Sequence, residues 1–158
     1  MRARAGVLLG GTALVCLAAV AAALITQHVY GMEPCPWCVL QRLIFVVIAL
    51  VCLIGLAWRS AVGARASAGL SLLLALSGAA AALWQHFVAA ASLSCKLTLA
   101  DRIVSGIGID GWLPEIFAAR ASCADAATKL LGVPYEFWSL GLFVLIVLVA
   151  ARVLARPT

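Results

Sequence analysis

Four apolar runs decide what this chain can become. Gly6 to Ile25, Leu43 to Trp58, Ala66 to about Ala91 and Phe137 to Ala151 contain no Asp, Glu, Lys or Arg. A helix of about 20 such residues crosses a hydrocarbon core of about 30 Å. Lipid offers the backbone no hydrogen-bonding partner, so each run must cross as a helix that satisfies its own amides. The second run is short for a span, and its helix is therefore expected to start earlier, around Trp37 to Leu40, taking Gln41 and Arg42 into its first two turns. The fourth extends back to about Tyr135. The expected fold is an all-α integral membrane protein, a four-helix transmembrane bundle forming a single domain over residues 1–158. Its expected spans are about 6–27, 39–58, 66–90 and 135–152, with outer loops at about 28–38 and 91–134. With 66% hydrophobic and 11% charged residues, the composition excludes a soluble single-core domain.

The first run resembles a secretory leader in its basic start and its small residues Ala21, Ala22 and Ala23. It outruns the apolar core of about 7 to 15 residues that such leaders carry, so a retained span is expected. Ser71, Ser77 and Gly78 are small residues that would let the third helix pack closely.

The net charge of +5 does not imply nucleic acid, because the eleven Lys and Arg are scattered among apolar runs and form no basic stripe. It implies orientation. Arg2, Arg4, Arg59, Arg65, Arg152 and Arg156 fall in short ends and one short loop on a single side, the pattern of cytoplasmic positions. Both termini are expected inside. Glu33, Asp101, Asp110, Glu115, Asp125 and Glu136 all fall on the other side.

Cys16 and Cys52 lie inside apolar runs and read as small hydrophobes. Cys35, Cys38, Cys95 and Cys123 lie in the outer connections, where disulfides form and persist. Cys35-Pro36-Trp37-Cys38 has the spacing of a redox pair, and equally of half a metal site or of a static staple. Compartment favours redox. If Cys38 opens a helix, its thiolate gains from the free amides there, and Arg42, four residues on, shares its face. A charge so near the bilayer reads as functional, with an arginine snorkelling to lipid phosphates as the plainer alternative. His86 lies near the outer end of the third helix and can share a depth with Arg42. It suits either hydrogen bonding to a membrane-soluble carbonyl compound or a place at the headgroup interface beside Trp84. In the long loop, Leu99, Ile103, Val104 and Ile107 recur at helical spacing, so a short amphipathic segment lies on the membrane or packs on the helix tops, with Trp112 and Leu113 continuing the anchorage.

Cys35-Pro36-Trp37-Cys38 followed by Arg42, the later pair Cys95 and Cys123, and Gly132-Val133-Pro134 entering the last helix together resemble the disulfide bond formation protein B family, DsbB, of bacterial inner membranes. The order of the pairs separates the chain from relatives of vitamin K epoxide reductase, where loop cysteines precede the CxxC. The resemblance implies a protein-dithiol:quinone oxidoreductase that reoxidises a DsbA-like periplasmic thiol oxidase, with ubiquinone or menaquinone as acceptor. It also implies roles. Cys95 would be attacked by the reduced partner and Cys123 would be its disulfide mate; Cys35 would exchange with that pair; Cys38 would face the quinone, with Arg42 and, less directly, His86 binding it. The bacterial inner membrane, periplasmic cysteine loops, a lipid surround, a monomer, no metal and no nucleic acid complete the expectation. A non-enzymatic, disulfide-stapled membrane scaffold and an outer-face metal-binding protein remain the alternatives.

Overall fold

The computed structural model describes residues 2–91 and 98–155. Four helices are long and apolar enough to cross a membrane, and the chain is a four-helix membrane bundle. They are α1 (Arg2–Tyr30), α2 (Pro36–Trp58), α3 (Ala61–Trp84), which continues as a π-helical turn over Gln85–Ala89, and, after the outer loop, α7 (Tyr135–Ala155). Short connections make successive helices antiparallel neighbours. The amino terminus, the Arg59-Ser60 turn and the end of α7 therefore gather at one end, and the cysteine loops at the other.

Local chemistry sets the helix starts. Pro36 is the first residue of α2, where a missing N–H costs nothing and a fixed φ is already helical. Cys35 caps it, its sulfur accepting from the Cys38 amide at 3.3 Å. The helix thus begins slightly before the expected Trp37. Ser60 caps α3 by accepting from Gly63 N–H at 2.9 Å.

Lipid gives helices no hydrophobic reason to associate, so close packing must hold the bundle. On α3, Ala68, Ser71, Ala75, Gly78 and Ala82 form one buried stripe at three-and-four spacing. A β-carbon at Gly78 would overlap the ring of Phe143 on α7. Phe143 in turn stacks on Phe45 of α2, with centroids 4.2 Å apart and planes 2° from parallel. Ser77, expected among the packing residues, is exposed: it is one step of about 100° off that stripe. Cys16 and Cys52 are buried among apolar neighbours, as small hydrophobes would be. The α3 contacts with α2 and α7, and those of α1 with α2, are extensive, whereas the seam between α1 and α7 is sparse.

Above the bundle lie α4 (Leu99–Ile107), α5 (Ile109–Trp112), α6 (Pro114–Phe117) and a two-residue-per-strand hairpin, β1 (Lys129–Leu130) and β2 (Val133–Pro134). Leu131 and Gly132 turn that hairpin with φ of 55° and 81°, the double positive φ of a type I′ turn. Thr98 and Asp101 form a reciprocal capping box at the start of α4. Ala100 and Val104 of α4 are buried, while Leu99, Ile103 and Ile107 face outward, so the amphipathic segment packs on the helix tops and presents an apolar edge. Arg120 N–H donates to Pro34 O at 3.0 Å and ties this cap to the first loop.

Candidate redox site

Three sulfurs meet at the amino end of α2. Cys35 Sγ and Cys38 Sγ are 2.7 Å apart. Two sulfurs sharing a tetrahedral zinc at about 2.3 Å each would stand about 3.8 Å apart, so this spacing suits a redox pair better than co-ligands. A disulfide closes at about 2.05 Å, within an ångström of the observed separation. Cys123, buried in the long loop between α3 and α7, lies close enough to Cys35 and to the Trp37 amide for both to act on its thiol. The two thiols act on each other in opposite directions. The Cys35 thiol holds Cys123 below the ordinary thiol range, against the opposing effect of burial. Cys35 is pushed well above that range, chiefly by Cys123, then by Cys38 and by burial. Cys95, expected as the partner of Cys123, falls in 92–97, outside the described residues.

On the far side of Cys38 the helices leave a cavity of about 220 Å³. It lies behind the sparse seam, between Ala19, Ala23 and Thr26 of α1, Cys38 and Arg42 of α2, and Tyr135 and Glu136 of α7. Arg42 does not snorkel to the surface. It is 5% exposed, and its Nη1 donates to Gln27 Oε1 at 3.0 Å and to the carbonyl of Ile116. Its Nε is buried without a partner among the described residues. A buried unpaired donor costs about 1–3 kcal/mol.

His86 sits elsewhere. Its Nδ1 meets Glu136 Oε1 at 2.6 Å, and its ring lies against Phe87 and Phe137. Glu136 is buried and lines the cavity, and His86 is not among the lining residues. Tyr135, beside it, places its hydroxyl 3.3 Å from Thr26 Oγ1 and bridges the seam.

Reading by motif misses the glutamines. The chain has three, Gln27, Gln41 and Gln85, one near the outer end of each of the first three helices, and all are buried. Gln27 holds Arg42. Gln41 Nε2 donates to Gln85 Oε1 at 2.7 Å, and Gln85 Nε2 donates to Cys38 Sγ at 3.3 Å. An amide at matching depth in three successive apolar spans is a signal the sequence carries, because each would be costly to bury without a partner.

A family model described as Disulfide bond formation protein DsbB matches residues 5–153. A protein named Disulfide bond formation protein B from Herminiimonas arsenicoxydans is 36% identical over 137 residues, covering 86% of each chain. One of the same name from Aromatoleum aromaticum is 34% identical over 150 residues, or 92% of this chain and 90% of that one. Disulfide bond formation protein B 1 of Pseudomonas savastanoi is 36% identical over 142 residues, covering 88% and 81%. Membrane-spanning helices, paired thiols and these matches agree on a membrane oxidoreductase acting in disulfide bond formation. The chain belongs to the DsbB family.

Proposed function

We propose that the protein oxidises a DsbA-like periplasmic thiol oxidase by thiol-disulfide exchange and passes the electrons to a membrane quinone. The observation that carries this reading is the two-sided setting of the CxxC: Cys35 has Cys123 as a neighbour on the loop side, and Cys38 shares a cavity with Arg42 on the other. An inert scaffold needs neither the neighbouring loop thiol nor a charged, incompletely paired arginine behind it.

Reduced partner attacks the Cys95–Cys123 disulfide at Cys95 and releases Cys123 as a thiolate. Cys123, with the Trp37 amide beside it, attacks Cys35 of the Cys35–Cys38 disulfide. The Cys35–Cys38 bond breaks and Cys38 leaves as a thiolate towards the cavity. The bound quinone supplies a two-electron, two-proton sink. Arg42, which lines the cavity, would hold one of its carbonyl oxygens through the guanidinium; Thr26, Tyr135 and Glu136 would frame the ring. A volume of about 220 Å³ is below the ~300–1,000 Å³ of drug-sized ligand pockets and suits one ring with its tail passing out through the α1–α7 seam into lipid. An acceptor is needed on energetic grounds. An ordinary CxxC near about −270 mV opposes electron flow from a DsbA couple near about −120 mV by about 7 kcal/mol.

The reading places the protein in a bacterial inner membrane as a monomer with both termini cytoplasmic. Its test is quinone reduction by membranes given a reduced dithiol partner. Cys38→Ser is expected to abolish it, and Arg42→Ala to raise the quinone concentration needed for half-maximal rate by about tenfold or more, the loss of a charge-assisted hydrogen bond. Normal turnover by Cys38→Ser would overturn the mechanism.

A further inference from the structure

The Cys38 sulfur has a dedicated amide partner, and nothing in a two-sided relay by itself calls for one. Gln85 opens the π-helical turn that ends α3, and Ala90 N–H closes that turn on Gln85 O at 2.8 Å. Such turns add a residue to the helical repeat and re-aim side chains, frequently at functional sites. Here successive residues serve different neighbours: Gln85 faces Cys38 and Gln41 on α2, and His86 faces Glu136 on α7. Gln85 is 4% exposed and Gln41 is 3% exposed, so both amides are committed to this network. Because Gln41 Nε2 occupies Gln85 Oε1 at 2.7 Å, the Gln85 NH₂ group is the end left for the sulfur.

We propose that Gln85 is the hydrogen-bond donor to the departing Cys38 thiolate, and that Gln41 is the positioning residue that fixes which end of the amide it presents. This rests on the proposed relay for the identity of Cys38 as leaving sulfur. When the sulfur of Cys123 bonds to Cys35, the Cys35–Cys38 bond breaks and its electron pair goes to Cys38. A neutral disulfide sulfur is a weak acceptor, whereas a thiolate accepts a charge-assisted bond. Gln85 therefore stabilises the product of that step more than its reactant. Two consequences follow. A better-stabilised leaving sulfur directs attack to Cys35 instead of Cys38, and stabilising the reduced form makes the pair more oxidising, the direction a strongly oxidising partner requires.

The test uses the full chain in detergent with Gln85→Met, which keeps length and volume and removes the donor, and with Gln41→Met. Two readouts need no quinone: the rate of Cys38 alkylation at pH 7 in the reduced protein, resolved by peptide mass, and the oxidised fraction of Cys35–Cys38 at equilibrium with glutathione. Gln85→Met is expected to slow Cys38 alkylation by about tenfold, with Cys35 unchanged, and to shift the equilibrium constant about tenfold toward the disulfide, about 30 mV for a two-electron couple. Gln41→Met is expected to move both in the same direction by less, and it remains informative should Gln85→Met fail to fold. Wild-type values in folded Gln85→Met overturn the assignment, whichever acceptor takes the electrons. A wild-type chain whose Cys35–Cys38 pair is not reduced by a dithiol partner overturns the relay instead.

Discussion

Cys35 stands between two sulfurs, Cys38 on α2 and Cys123 from the long loop. The neighbouring Cys35 thiol holds the Cys123 thiol below the ordinary range of about 8.5. In the reduced protein the pH at which Cys123 alkylates at half its maximal rate is expected to lie below that range. Cys35→Ala removes that thiol and leaves the burial that opposes ionisation, so the same half-point is expected to move upward; an unchanged profile would show that Cys35 does not act on Cys123. At this scale the sequence was uneven. Cys35, Cys38, Arg42 and Cys123 announce themselves because reactive thiols and buried charges are rare and their spacing carries meaning. Gln85, Gln41 and Glu136 are less visible, since a single amide or carboxylate at a helix end is ordinary until packing shows what it faces, and only the recurrence of glutamine across three spans is a signal. His86 drew attention for its type, and its neighbour Gln85 is the one that touches the sulfur.

Pairs of helices are pinned by few polar contacts, and the His86–Glu136 contact between the α3 end and α7 is the most buried of the His or Arg contacts with acids among the described residues. Its two partners are unequal: the carboxylate is 5% exposed and the imidazole 32%. Removing the ring strands a buried acceptor, whereas replacing the carboxylate by an amide keeps an oxygen for the ring. His86→Ala is therefore expected to cost about 1–3 kcal/mol and Glu136→Gln clearly less, read as the fall in thermal midpoint in detergent. Equal losses would mean that the contact is incidental to the packing of α7. Element boundaries were legible where chemistry marks them. Pro36 starts a helix because it lacks the amide that a first turn leaves unpaired, and Leu99 to Ile107 shows its helix by period alone. The π-helical turn was not legible, because Gln85–Ala89 continues an apolar run without proline or glycine to mark a change of pitch.

Across the whole molecule, charge and redox chemistry must agree on one orientation. Arg4, Arg59, Arg65 and Arg152 lie at or near one end of the bundle, and all six acids lie at or near the other, with Cys35 and Cys123. The four apolar runs and this asymmetry made the architecture readable, since an unbroken apolar run of this length crosses a bilayer as a helix and basic residues resist export. The rest of the cap beyond α4 was less readable, because α5 and α6 are too short to show a period. Orientation has a direct test in cells carrying the chain with its four outer cysteines replaced by Ser. Ser105→Cys, exposed on α4, is expected to react with a membrane-impermeant maleimide once the outer membrane is opened. Val62→Cys, 70% exposed beside the Arg59-Ser60 turn, is expected to react only after the inner membrane is breached. The reverse pattern would put the CxxC in the reducing cytosol, where a Cys35–Cys38 disulfide could not serve as an oxidant, and would overturn the relay together with the topology.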